Sequence, residues 1–155
     1  MYSSFAVANA FIERALDGRL RDLNAMKLQK LMYFAQAWHL KVKGTPVIDD
    51  TFTRGENGPV LPSIHHQVKA YGSRPVTQTI RILYGDDDRE IWRVPGMQPY
   101  DKSRWDLIDM ISRRYGNLTP KALSDLTHLP GSAWSQGRVI GEVLLNDVIR
   151  ADPTL

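Results

Sequence analysis

The stretch NAMKLQKLMYFAQAWHLKVKG, residues 24–44, decides how this chain folds. Asn24 is a residue type that caps helix starts, and Gly44 one that ends helices. No glycine or proline lies between them, and good helix formers dominate. At about 100° per residue, Leu28, Leu31, Met32, Ala35, Trp38, His39 and Val42 share one broad face. Met26, Tyr33, Ala37 and Leu40 gather opposite. A surface helix has one apolar stripe. Two stripes predict a helix through the middle of the domain, covered on both sides. Its polar residues are then left to two seams, Lys27, Lys30 and Lys41 on one and Gln29 and Gln36 on the other.

The lysine seam is a misfit. Lys27 and Lys30 lie in the first turns, where the helix dipole disfavours cations by roughly 0.3–1 kcal/mol. No acidic residue occurs between Asp22 and Asp49. Two readings follow: a solvated seam with a carboxylate of the same chain nearby, or a docking face for an acidic partner.

On the N-terminal side, residues 4–17 read as a helix capped by Ser4, with Phe5, Ala8, Ile12, Ala15 and Leu16 at helical spacing and Gly18 closing it. After Gly44 the pattern breaks into turns. Val47 and Phe52 allow a short extended piece, and Gly55, Gly58 and Pro59 make a tight approach to a helix that opens at Pro62 and ends at Gly72. From Val76 the period becomes two. Ile80, Ile82 and Tyr84 alternate with Thr79, Arg81 and Leu83, GDDD (85–88) makes a four-residue turn, and Glu90 to Val94 alternates again. That is a β-hairpin, and two strands alone are marginal, so it should lean on the helices. Ser103, with Asp106 three residues on, opens a helix through Arg114. Thr119-Pro120 starts another, to about His128. A turn follows at 132–136, and the apolar tail 139–149 packs as an extended piece with a last helical turn from Asn146.

The expected fold is therefore mainly α (α+β): one domain, residues 1–155, around a central buried helix with a small β-hairpin. The apolar share of 43% and charged share of 24% suit a globular domain with its own core. No run approaches the roughly 18 apolar residues that span a bilayer, and Glu13 and Arg14 interrupt the N-terminus before it could serve as a secretory signal. The chain has no cysteine, which excludes disulfides and thiolate chemistry and agrees with a cytoplasmic protein. A net charge of +3 is mildly basic, and outside the central helix the basic residues are scattered.

The residue types supply no catalytic set. His65 and His66 are adjacent and diverge on a helix, and no metal-ligating spacing is present, so neither a metal nor another cofactor is expected. His39 reads as a hydrogen-bonded core residue. Ser124 and His128 can share a helix face, but without a nucleophile elbow or an orienting carboxylate they read as closing residues. The aspartates at 49–50 and 86–88 are turn residues, and GENGP (55–59) is not a phosphate loop.

Three blocks together carry a resemblance: KLQKLMYFAQAWHL (27–40), NGPVLPSIHHQVKAYGS (57–73) and ALSDLTHLPGSAW (122–134). In order and spacing they resemble the signature of the Panacea domain, found in SocA-like antitoxins and in phage-associated GepA-type proteins. The chain departs from that pattern just before GPV, where the family often has an aromatic, and at Ala133-Trp134, where it often has Pro-Trp. The resemblance implies an antitoxin of a toxin–antitoxin system. Such a protein is not an enzyme; it neutralises a cognate protein toxin by direct contact. In some systems it instead acts as an adaptor that delivers the toxin to a ClpXP-type protease. On that reading Leu28, Leu31, Tyr33, Trp38, Gly58, Pro59, Tyr71 and Trp134 are scaffold. The partner-binding candidates are Arg54, Glu56, Asn57, His65, His66, Trp92 and Arg93, with Lys27 and Lys30 of the seam, because interfaces favour aromatics and arginine. A nucleic-acid-binding or transcriptional module is the alternative, and an enzyme using Ser124 and His128 a third.

Overall fold

A computed structural model describes residues 1–155. The chain runs through α1 (Ser4–Leu16), α2 (Ala25–Lys43), the strands β1 (Thr53–Gly55) and β2 (Gly58–Val60), and α3 (Pro62–Val68). It continues with β3 (Ile82–Asp86), β4 (Arg89–Arg93), α4 (Lys102–Tyr115), α5 (Pro120–Thr127) and α6 (Asn146–Arg150). Single 3-10 turns lie at Lys69–Tyr71 and Trp134–Gln136. Each strand pair is a separate antiparallel hairpin. No helix is long and apolar enough to cross a membrane.

The central helix is α2. Asn24 Oδ1 accepts from the Lys27 backbone N–H at 2.9 Å, and Gly44 ends the helix at φ 76°. All five other helices pack on it, and α6 meets its C-terminal half, where Gln36 bonds Asn146. Leu28, Leu31, Met32 and Ala35 are fully buried, as are Tyr33, Phe34, Ala37 and Leu40. Phe34 stacks on Tyr115 at 4.2 Å between centroids, and Tyr33 meets Phe52 edge-on. Val42 departs from the prediction: it is exposed, with Lys41, Lys43 and Gly44 beside it.

The glutamine seam is inside, and its amides bind peptide groups. Gln29 accepts from Leu61 N–H and donates to Leu61 C=O, both at 2.9 Å. Gln36 Oε1 accepts from Val47 N–H at 3.0 Å and Ile48 N–H at 2.9 Å. Each buried amide thus satisfies backbone that has no ladder partner, and ties the following chain across α2. His39 is the expected satisfied core residue, with Nδ1–H donating to Thr45 C=O at 2.5 Å.

Several starts shift by a residue or two. Ser3, not Ser4, caps α1 by accepting from Ala6 N–H, and Ser4 is buried against Ser63. Asp101, not Ser103, caps α4, while Asp106 pairs with Lys102 at 2.6 Å. Thr119 caps α5 and Pro120 opens it, as expected. The tail at Val143 bridges Thr53, with Leu144 N–H donating to Phe52 C=O at 2.8 Å. Leu144 is buried there, while Val139, Ile140, Val143 and Leu145 are exposed.

The β3–β4 hairpin is the main departure. Its turn has two central residues, not four, because Asp86 pairs with Arg89 and Asp86 Oδ1 accepts from the Asp88 and Arg89 N–H groups. It also leans on the body only through half-buried Ile82, which packs against the core; every other residue of both strands is exposed.

Candidate interaction surface

The lysine seam is corrected by the fold. Lys27 and Lys30 are 3% and 1% exposed, so they form neither a solvated seam nor an open docking face. Lys27 Nζ donates to Arg21 C=O at 2.8 Å and Lys30 Nζ to Pro59 C=O at 3.2 Å. The residues before α2 and the β1–β2 turn fold over its first turns, and their carbonyl oxygens, rather than a carboxylate, receive the ammonium groups. Burial lowers the Lys27 ammonium, with Asp22 opposing, and pushes Lys30 down to about 8. Lys41 stays at the surface, bonded to Asp152 C=O.

Arg54 is likewise buried, not presented to a partner. Its guanidinium donates to Trp134 C=O at 2.9 Å, to Val139 C=O at 3.4 Å and to Glu142 Oε2 at 2.6 Å. It therefore clamps the C-terminal segment onto β1.

Glu56, Asn57, His65, His66, Trp92 and Arg93 are exposed. Four of them border a chain of clefts. A shallow cleft of about 680 Å³ lies between Glu56, Asn57, Lys121 and Asp125. A cavity of about 230 Å³ follows, walled by Gln29, Lys30, Val60 and His65. Met26 and Asn57 line both. Val68 lines the second cavity and also a third, of about 240 Å³, whose walls include Tyr71 and Trp92. Through these shared lining residues the three clefts are neighbours, a discontinuous trough from α5, by the β1–β2 turn and α3, to β4. His66 is on α3 outside it, and Arg93 points to the other face of the hairpin, beside Tyr84 and Ile91.

The middle of this trough is the turn at 55–59, which is held through its carbonyl oxygens. Ser124 Oγ donates to Asn57 C=O at 2.7 Å, Trp134 Nε1–H to Gly55 C=O at 2.8 Å, and Lys30 to Pro59 C=O. His128 packs on Trp134 at 3.8 Å between ring centroids and donates from Nδ1–H to Ser124 C=O. Ser124 and His128 do share a face, but the Ser124 hydroxyl points to the turn and not to the imidazole. Their geometry is that of fasteners, not of a nucleophile and its base. Gly58 sits at φ 114°, and a Cβ there would strike the Thr127 hydroxyl and approach Lys30 Cε at 3.1 Å. The turn can follow this path only as glycine. No group of three His, Cys, Asp or Glu residues is gathered closely enough to hold a metal ion.

Sequence reasoning overlooked the apolar companions of Trp92. Leu83, Tyr84, Ile91 and Val94 are 40%, 46%, 44% and 48% exposed, and Trp92 is 61% exposed. The strand alternation is visible in the sequence; that neither face would be covered is not.

The comparisons with known proteins agree with the three sequence blocks. The family described as "Antitoxin SocA-like, Panacea domain" matches residues 28–135, more than half of the chain. Antitoxin SocA of Caulobacter vibrioides (strain NA1000 / CB15N) is 28% identical over 131 residues, covering 83% of this chain. The match spans 66% of that relative's length. No solved structure matches. The extent of the family match, from α2 through the 3-10 turn at Trp134, places the chain in the SocA-like antitoxin family, as a bearer of the Panacea domain.

Proposed function

We propose that this chain neutralises a cognate protein toxin by direct contact, and that the β3–β4 hairpin makes the principal contact. Family membership supports the kind of partner. The observation that carries the choice of surface is the hairpin's exposure on both faces. Leu83 and Trp92 are cross-strand partners on one face, Tyr84 and Ile91 on the other. A two-stranded ribbon is marginal by itself, and a cluster of exposed aromatic and aliphatic residues gains from being covered. Arg93 lies over the Tyr84 ring at 5.9 Å, adding a cation to the outer face. Trp, Tyr and Arg are the residue types that dominate interface energetics. Glu56, Asn57 and His65, along the trough, extend the contact, and His66 borders it from α3.

Delivery of the toxin to a ClpXP-type protease would use the same contact. Co-expression with the toxin encoded beside it tests the reading. Survival and co-purification are expected for the parent chain, and loss of both for Trp92→Ala with Ile91→Ala. A toxin that co-purifies equally with that double variant removes the hairpin from the reading. Toxin half-life with and without the protease separates blockade from delivery.

A further inference from the structure

We propose that the cavity beside Lys30 is a receptor for a single carboxylate group. Lys30 forms part of the cavity wall, between α2, the β1–β2 turn and α3. An ammonium has three N–H donors, and Pro59 C=O at 3.2 Å is its one hydrogen-bond acceptor in the protein. Lys30 takes part in none of the five ion pairs. What faces the cavity from each neighbouring element is neutral or basic. Gln29 lies on α2 with its amide engaged by Leu61, Asn57 and Val60 come from the hairpin, and His65 from α3. An unpaired buried cation carries a desolvation cost that an anion offsets. The missing counter-charge and the space for it are in the same place.

The donor set selects the class of anion. One ammonium with two unused N–H groups matches the single charge of a carboxylate. Phosphate carries more charge and acceptor oxygens, and is met elsewhere by arginine forks or several backbone N–H groups. Asn57 and His65 at the rim can donate to the second carboxylate oxygen. The carboxylate can come from a free small acid or from an Asp or Glu side chain of the bound toxin; the second source rests on the toxin-binding reading above.

Lysine-selective ¹³C labelling of the full chain, with NMR titration in sodium acetate and in sodium chloride at equal ionic strength, tests the site without a substitution. Acetate is expected to raise the titration midpoint of Lys30 by a unit or more and to leave the exposed Lys102 where it was. Identical Lys30 midpoints in the two salts overturn the proposal. The toxin complex, without acetate, is the second arm. A raised Lys30 midpoint there assigns the carboxylate to the toxin, and an unshifted one, with the acetate response intact, assigns it to a free acid. A toxin that fails to bind overturns the neutralisation reading alone, since the acetate arm needs no toxin.

Discussion

Arg54 Nη1 lies 2.6 Å from Glu142 Oε2, and this pair fastens the C-terminal segment to strand β1. The arginine is buried, while the glutamate side chain is 53% exposed. Arg54→Ala leaves the Trp134 and Val139 carbonyl oxygens without their donor, whereas Glu142 regains water. A loss of about 2–3 kcal/mol is expected, as for breaking buried charge-assisted hydrogen bonds. The urea midpoint measures it. A midpoint equal to that of the parent would show that the clamp contributes nothing to stability.

The two positive-φ glycines flanking α3 separate strain from collision. Gly58→Ala places a methyl group against Thr127 and Lys30, whereas Gly72, at φ 59°, faces open space. Gly72→Ala should cost about 1–2 kcal/mol, the ordinary penalty of a left-handed backbone. Gly58→Ala should cost clearly more, about 3 kcal/mol or above, because overpacking adds to the backbone term. Equal thermal midpoints for the two variants would contradict the packing of the turn against α5.

Trp92→Ala should leave the urea midpoint within about 0.5 kcal/mol of the parent, since the hairpin is exposed on both faces. Its toxin affinity should fall by about 2 kcal/mol, roughly 30-fold, the loss typical of an aromatic anchor. Calorimetric titration of purified toxin reads both the affinity and its dependence on Arg93.

Stability should depend on pH in the alkaline range. Lys30 titrates at about 8 in the folded chain against an ordinary 10.5. Between those values the unfolded chain holds a proton that the folded chain lacks, so stability rises with pH, by on the order of 3 kcal/mol in all. Burial pushes the Tyr33 phenol the other way, up from 10.0. Above about pH 10 the unfolded chain therefore loses a proton that the folded chain keeps, and stability falls. A maximum near pH 10 is expected in urea midpoints. Lys30→Met should shrink the rising limb to the part that Lys27, also lowered by burial, contributes, and keep the falling one.

Much of the fold was legible because its signals are local. Two apolar stripes on residues 24–44, an Asn before them and a Gly after them specify a covered helix whatever the rest of the chain does. Thr119-Pro120 opens α5 for the same reason. The family was also legible, since its three blocks are runs of neighbouring residues. Where local signals compete within a few residues, the starts shifted: Ser3 won over Ser4, and Asp101 over Ser103.

The candidate surface was only half legible. Glu56, Asn57, His65, His66, Trp92 and Arg93 are on the outside as expected, but Lys27, Lys30 and Arg54 are not. Residue type says that a lysine or arginine prefers water. It does not say that a carbonyl oxygen will be waiting inside. Lys30 meets Pro59 across 29 positions and Arg54 meets Glu142 across 88.

By itself, then, the sequence determined the helical spine, most helix starts, the tight GPV turn and the family, because each rests on residues a few positions apart. The tertiary structure alone decided which charges are buried and that the hairpin is uncovered. Exposure is a property of what the rest of the chain places over a residue. The alternation of Ile82 and Tyr84 says that one strand face suits a core, but only the packed helices reveal that the core reaches Ile82 and goes no further.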